Sequence, residues 1–387
     1  PYTLSLHDAL PILGREHQAM MSDCGLLSGY ICLLIRSESS QVQLCSEKVI
    51  RIVSDALRNV LETCIIPTLV PANQLQCFAA TEPFVALISA CEQILGLLAT
   101  LVKDIQLPET VLDTFESTAL LLLLADTGAK TRLKKLRIAA LDLLVQLFHY
   151  YPTRRPSIVI ETLISLKKTK ASQSSRDVEL LKGGSIQVLS ALIMRIIHSA
   201  ASGYDDSHFS EGNTSPASEL PLEVGRLKAL RTEVRQPSLK STKKGKPTSS
   251  QALSALVSPL LETATKTATQ IICFVIGRAI SSDKTGDESF RNLLYIFVED
   301  FARCFECPEW PAAELLLRLI LFKMIQLLEA DKSTSAVKLM AVDVLGLMGA
   351  AISRLNFNIR HTAKSEDFKT SFRDRKSTRL NSSHQYY

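Results

Sequence analysis

Hydrophobic positions recur three and four residues apart in one stretch of this chain after another. Val49, Ile52, Val53, Ala56, Leu57, Val60, Leu61 and Cys64 share one face of a helix, and Pro67 and Pro71 are read as its stop. Phe84, Leu87, Ile88, Cys91, Leu95, Leu98 and Val102 form the next stripe, which Pro108 separates from a helix over 111–125. Leu133, Leu136, Ala140, Leu143, Leu144 and Leu147 form another, closed by Pro152 and Pro156. Helices are predicted over 158–166 and 178–197, with Gly183-Gly184 read as a local break in the latter. After a polar interval come 253–280, 290–305, 312–328 and 335–355. No stretch alternates as a half-buried strand would.

Several of these helices are apolar around more than half their circumference. The one that begins at Ala312 keeps only Glu314, Arg318, Lys323, Gln326 and Glu329 as a polar wedge. A surface helix of a compact domain needs a single apolar stripe, whereas a helix stacked between neighbours is covered on two sides. The pattern therefore predicts an all-α fold, a HEAT-repeat α-solenoid of antiparallel helix pairs, with a period of roughly 40 residues. The stack is expected to be right-handed and interrupted once. A compact all-helical domain is the alternative.

The interruption is 201–250, rich in Ser, Thr, Pro and Gly and poor in large apolar residues. Burial there cannot offset the entropy of ordering, so a disordered insertion is predicted. Its first half carries Asp205, Asp206, Glu211, Glu219 and Glu223. Its second half, 226–246, carries eight basic residues against Glu233. The two ends look foreign: 2–12 (YTLSLHDALPI) and 374–384 (DRKSTRLNSSH) both back-translate, codon by codon, to sequencing-library adapter strands, and they are set aside as processing scars are. The expected layout is foreign tails at 1–12 and 374–387, helical repeats at 13–200 and 251–360, and a disordered tail at 361–373. The part between the tails reads as a piece of a longer protein.

Composition narrows the class further. Hydrophobic residues make up 46% of the chain but aromatics only 6%, which suits Leu-, Ile-, Val- and Ala-rich helices better than a β-sandwich. The longest unbroken apolar run, 119–125, is far short of a bilayer span, and no membrane partner is expected. The nine cysteines are scattered through apolar patterns and read as buried hydrophobes in a reducing compartment. Cys304-x-x-Cys307 has zinc or redox spacing, but no second ligand pair lies nearby and no βαβ setting surrounds it. No nucleophile–base–acid spacing, Walker loop or Gly-x-Gly-x-x-Gly is present. No catalytic, cofactor-binding or metal-ligating residue is assigned, no cofactor is expected, and the chain is not read as an enzyme.

Positive charge is the remaining chemical signal, although the net charge is only +5. Lys130, Arg132, Lys134, Lys135 and Arg137 open a helix, Arg154 and Arg155 sit in a turn, and Lys167 and Lys168, with Lys170, follow the helix over 158–166. Such clusters suit sequence-independent contacts to the DNA backbone. A solvated helix face is the plainer reading of any one of them.

The segment Cys307-Pro308-Glu309-Trp310-Pro311-Ala312-Ala313-Glu314-Leu315-Leu316-Leu317 holds the only tryptophan and reads as a helix entry. Pro311 is compatible with the first turn, and Glu314 stands near the positive end of the dipole. The segment closely resembles the Pro-Glu-Trp-Pro-Ala-Ala-Glu-Leu-Leu-Leu motif of the cohesin loader (Nipped-B-like, adherin) family. The preceding Phe297-Val298-Glu299-Asp300-Phe301 and the later Lys338-Leu339-Met340-Ala341-Val342-Asp343-Val344-Leu345-Gly346 match it too. The resemblance is strong over 290–355, moderate over 136–197 and only general before about residue 107. It implies a non-catalytic, fungal-type HEAT scaffold, nuclear and chromatin-associated. Such a scaffold contacts double-stranded DNA and the ATPase heads and kleisin of cohesin, and stimulates the cohesin ATPase. The loader's helper subunit is expected to bind a region outside this chain. It also makes Pro308, Glu309, Trp310, Pro311 and Glu314 a structural motif. The flanking prolines and the mostly buried helix after them make Trp310 an expected structural anchor between adjacent repeats. A generic HEAT adaptor that binds protein alone is the competing function.

Overall fold

The computed structural model describes residues 47–69, 82–125, 133–166, 176–202, 249–285, 289–331 and 333–382. The N-terminal tail, nearly all of the expected insertion and the last five residues lie outside the described residues. The elements are α1 (Glu47–Val60), a π-helical turn (Leu61–Ile65), α2 (Ile66–Leu69), α3 (Glu82–Asp104), α4 (Glu109–Leu124), α5 (Lys134–Tyr150), a 3-10 turn (Pro152–Arg154), α6 (Arg155–Leu166), β1 (Val178–Glu179), β2 (Ser185–Ile186), α7 (Val188–Ala200), α8 (Ser249–Thr285), α9 (Ser289–Cys304), α10 (Ala312–Glu329) and α11 (Ser335–Ser382). The fold is all-α, of the α-solenoid class.

The chain forms two compact units, one within Pro1–Glu179 and Gly184–Ile271, the other comprising Leu180–Gly183 and Ile272–Tyr387. In the first, α5 packs against α3, α4 and α7, while α1 packs on α4 and α6 on α4. The predicted stripe residues Leu133, Leu136, Ala140, Leu143, Leu144 and Leu147 are all buried. A helix with neighbours on three sides explains the near-continuous apolar run of α5. The connection from α3 to α4 is fastened by Tyr151, whose hydroxyl accepts from the Leu107 N–H at 2.8 Å and donates to the Ile105 carbonyl at 3.1 Å. In the second unit α9, α10 and α11 pack on one another. Tyr295 of α9 reaches Asp343 of α11 at 3.4 Å, and Glu306 just beyond α9 meets Asn358 further along α11 at 3.4 Å. So α9 and α11 run in the same direction and α10 returns antiparallel to both. Phe297 and Phe301 stack at 5.7 Å, fully buried.

Four features depart from the sequence expectation. Pro67 does not stop its helix: the turn at Leu61–Ile65 widens, with the Ile66 N–H bonded to the Leu61 carbonyl. The widening makes room for a ring that would clash with the preceding turn of an α-helix. The stretch predicted as one helix over 178–197 begins instead as a two-residue-per-strand hairpin, Val178 pairing Ile186 and Glu179 pairing Ser185. Gly183 and Gly184 turn it with φ of 92° and 85°, a region that glycine enters without steric cost. Helix α8 carries Pro259 within it and extends beyond both predicted ends. Helix α11 runs on to Ser382, through the expected disordered tail and into the foreign segment. No proline or glycine occurs after Gly349 to break it.

By length and composition alone, Phe84–Asp104 and Ser335–Asn358 are apolar enough to cross a bilayer. Half of the first stretch and a third of the second are buried, α3 against α5 and α11 against α9 and α10. A helix of a protein core passes the same test of length and composition.

Candidate nucleic-acid interface

The nine predicted basic candidates separate sharply. Lys130, Arg132, Lys167 and Lys168 lie outside the described residues. Arg137 is 3% exposed, which removes it from any surface site. Its Nη1 donates to Asp177 Oδ2 at 3.0 Å, its Nη2 to the Ala125 carbonyl at 2.7 Å and its Nε to the Leu122 carbonyl at 3.4 Å. The guanidinium thus closes the C-terminal end of α4, where carbonyls lack intrahelical partners, and Asp177 neutralises it. The sequence held a signal for this. Residue 137 falls four after Leu133 and three before Ala140, on the buried stripe itself.

Arg154 is also withdrawn from solvent. It donates to Asp113 and, at 3.1 Å, to Glu116 Oε2, which binds α4 to the turn before α6. Burial pushes the Glu116 carboxyl above its ordinary pKa although Arg154 pulls the other way. Arg155 donates to the Phe148 carbonyl at 2.9 Å and the His149 carbonyl at 3.3 Å, with its guanidinium 5.3 Å over the Phe148 ring. Burial, then the charge of Arg155, lowers the pKa of the His149 ring. These two arginines are internal fasteners of the first unit.

Lys134 and Lys135 remain. They are the first residues of α5, where the helix dipole is positive. Lys135 is exposed and Lys134 is paired with Glu179 of the hairpin. Arg176, which the sequence reading passed over, stands exposed at the base of the same hairpin, one N–H on the Ser185 carbonyl at 3.3 Å. It went unnoticed because a helix, not a hairpin, was predicted to begin at 178.

The aromatic motif occupies the loop between α9 and α10. Three successive turns carry the chain: Cys307 N–H to Cys304, Trp310 N–H to Cys307 and Ala313 N–H to Trp310. Pro308 and Glu309 are exposed. Trp310 is half-buried. Glu314 pairs with Arg318 one turn on at 2.6 Å, on the exposed face of α10. The Cys307 Sγ bonds the Arg303 carbonyl at 3.7 Å. Burial raises the pKa of both Cys304 and Cys307, which opposes thiolate chemistry. Among the described residues no group of three or more His, Cys, Asp or Glu is placed to hold a metal. Alkylation of the folded protein with iodoacetamide, read by peptide mass mapping, should modify exposed Cys273 well before Cys304. Rapid labelling of Cys304 would contradict its burial.

The fold defines an all-α protein of the solenoid class, built of helices packed on one another. No protein-family model matches the chain. It is 24% identical over 272 residues to the sister chromatid cohesion protein mis4 of Schizosaccharomyces pombe, covering 68% of this chain and 16% of that protein. It is 25% identical over 226 residues to the Nipped-B protein of Drosophila melanogaster, 57% of this chain and 10% of that one. The solved C-terminal fragment of the Chaetomium thermophilum cohesin loader SCC2 superposes with a TM-score of 0.63 at 27% identity, over 92% of this chain and 28% of that one. The chain is homologous to the Mis4/Nipped-B family of cohesin loaders, and spans less than a fifth of the full length of these two curated relatives.

Proposed function

We propose that this chain is a section of a cohesin loader's helical scaffold, a nuclear, non-catalytic surface that helps place cohesin on chromatin. The observation that carries the reading is the match to the solved loader over nearly the whole chain. On this reading the scaffold contacts the ATPase heads and kleisin of cohesin, supports ATPase stimulation, and touches duplex DNA. The DNA contact falls on the start of α5, at Lys134 and Lys135, with Lys130 and Arg132 just before it and Lys167 and Lys168 as further candidates. Arg137, Arg154 and Arg155 are left out of it by the partners described above.

Binding should be indifferent to sequence and weaken as salt rises, because each phosphate contact releases counterions. Titration of the chain with random duplexes at several salt concentrations tests this. Lys134→Glu with Lys135→Glu should weaken binding alike for all duplexes and flatten the salt dependence. If the double variant binds like the parent while deletion of residues 226–246 abolishes binding, the basic half of the insertion carries the contact instead. Co-purification with cohesin subunits from cells tests the protein half of the reading. Loss of DNA binding altogether, with partners retained, would turn the proposal into a protein-only adaptor.

A further inference from the structure

One face of α4 carries three carboxylates, Glu109, Asp113 and Glu116, at successive turns of the helix. A single guanidinium answers them. Arg154 donates through Nη2 to Asp113 and, at 3.1 Å, to Glu116 Oε2, and its Nη1 stands 4.0 Å from Glu109 Oε2. The three acids are not equivalent. The side chains of Glu109 and Asp113 are 83% and 65% exposed, so water can carry their charge, whereas that of Glu116 is 6% exposed. Its second oxygen, Oε1, is buried and has no hydrogen-bond partner among the described residues. Arg154 is the cation that Glu116 feels, and from α6 it feels a further acid, Glu161. From α1, Arg58 reaches α4 at Ser117, at 2.7 Å, and pairs with Glu62. From α5, Arg137 lies further along α4, at the Leu122 carbonyl, and is neutralised by Asp177.

We propose that Glu116 is a proton-operated latch between α4 and the turn before α6: it takes up a proton from water as the first unit folds, and Asp113 is left as the carboxylate that neutralises Arg154. A buried carboxylate oxygen without a donor is costly, and a proton on Oε1 removes the charge that makes it so. The bond from Arg154 Nη2 to Oε2 can survive the change, because the carbonyl oxygen of a neutral carboxyl still accepts. Burial also raises the Glu116 pKa, against the pull of Arg154. The folded chain therefore holds this proton more tightly than the unfolded chain does. The contribution to stability is whole in acid, below the ordinary glutamate range, and is lost as pH rises through the raised value. The junction of α4 with the turn before α6 is thus firmer in acid than in alkali, the reverse of what an ordinary ion pair gives.

The test is urea unfolding of the whole chain, followed by circular dichroism, in a pH series from about 5 to about 8. Glu116→Gln keeps the side chain neutral at every pH. Its unfolding midpoint should gain on the parent's as pH rises, and the gap should level off in alkali. A constant gap overturns the proposal, and so does a parent that gains on the variant, because Glu116 would then fold as a charged partner of Arg154. Asp113→Asn leaves Glu116 as the nearest carboxylate to Arg154, so in that background Glu116→Gln should gain less. An equal gain there overturns the part given to Asp113. One measurement needs the parent alone and stands whether or not the variants fold. In carbon NMR of the chain labelled at glutamate, one side-chain carboxyl should titrate above the rest, and a set of glutamates that all titrate together overturns the proposal as well.

Discussion

Replacing Arg137 with methionine should destabilise the first unit by about 3–5 kcal/mol, the usual effect of removing one member of a buried, hydrogen-bonded ion pair. The size follows from what is left behind. Asp177, 6% exposed, would hold a carboxylate with its main cation gone. The carbonyls of Leu122 and Ala125 would lose their donor at the end of α4. Methionine fills similar volume, so the loss is of polar partners and not of packing. Urea denaturation followed by circular dichroism checks it, with Lys135→Met, at the exposed neighbour, as the control expected to stay within about 0.5 kcal/mol of the parent. Equal midpoints for the two variants would show that the guanidinium is not the fastener described.

Phe301→Ala should cost the second unit about 3–5 kcal/mol, the range for emptying a phenylalanine site in a close-packed core. Phe301 has no exposed surface and stacks on Phe297, itself fully buried, so no neighbouring side chain can swing in from the surface to fill the space. Trp310→Ala should cost less, although tryptophan is larger, because its side chain is only partly buried and less apolar surface is returned to water. The comparison by chemical denaturation of both variants separates two views of the Pro-Glu-Trp-Pro motif. If Trp310→Ala proves as damaging as Phe301→Ala, the tryptophan is the anchor that its place in the sequence suggested. The structure assigns that role to Phe297 and Phe301 on the preceding helix, α9.

Helix stripes were legible because burial on a helix repeats every three to four residues, and Leu133, Leu136, Ala140 and Leu144 announce α5 without help. The helix class followed from how few positions on α10 are polar. What did not follow was anything decided by a contact between distant segments. Arg137 falls on the buried stripe of α5, which local spacing could have shown, but the partner that neutralises it, Asp177, lies forty residues later. Arg154 is likewise claimed by Asp113 and Glu116. The hairpin was missed because Val178, Leu180, Leu181 and Ile186 fit a helix stripe as well as a strand, and the paired glycines that decide between them read equally as a helix break. Pro67 was assigned its usual effect, which a wider turn cancelled. Trp310 was read as an anchor between repeats, but how far a side chain is buried depends on what stands opposite it, and a local motif is silent about that.

The wider turn at Leu61–Ile65 also sets the angular phase of everything after it. Leu57, Leu61, Ile65 and Leu69 are all buried, at a strict spacing of four. In an unbroken α-helix each such step overshoots a full circle by about 40°, so the last of them would have swung far round from the first. The π-helical turn takes fewer degrees per residue and brings the row back into line. Such a turn arises when one residue is added to an ordinary α-helix, so removing one residue from Leu61–Ile65 would restore the regular helix and leave Thr68 and Leu69 on the buried face. This short stretch therefore works as a slack loop in the helix: it takes up an extra residue, and a proline ring, without turning the residues after it away from their neighbours.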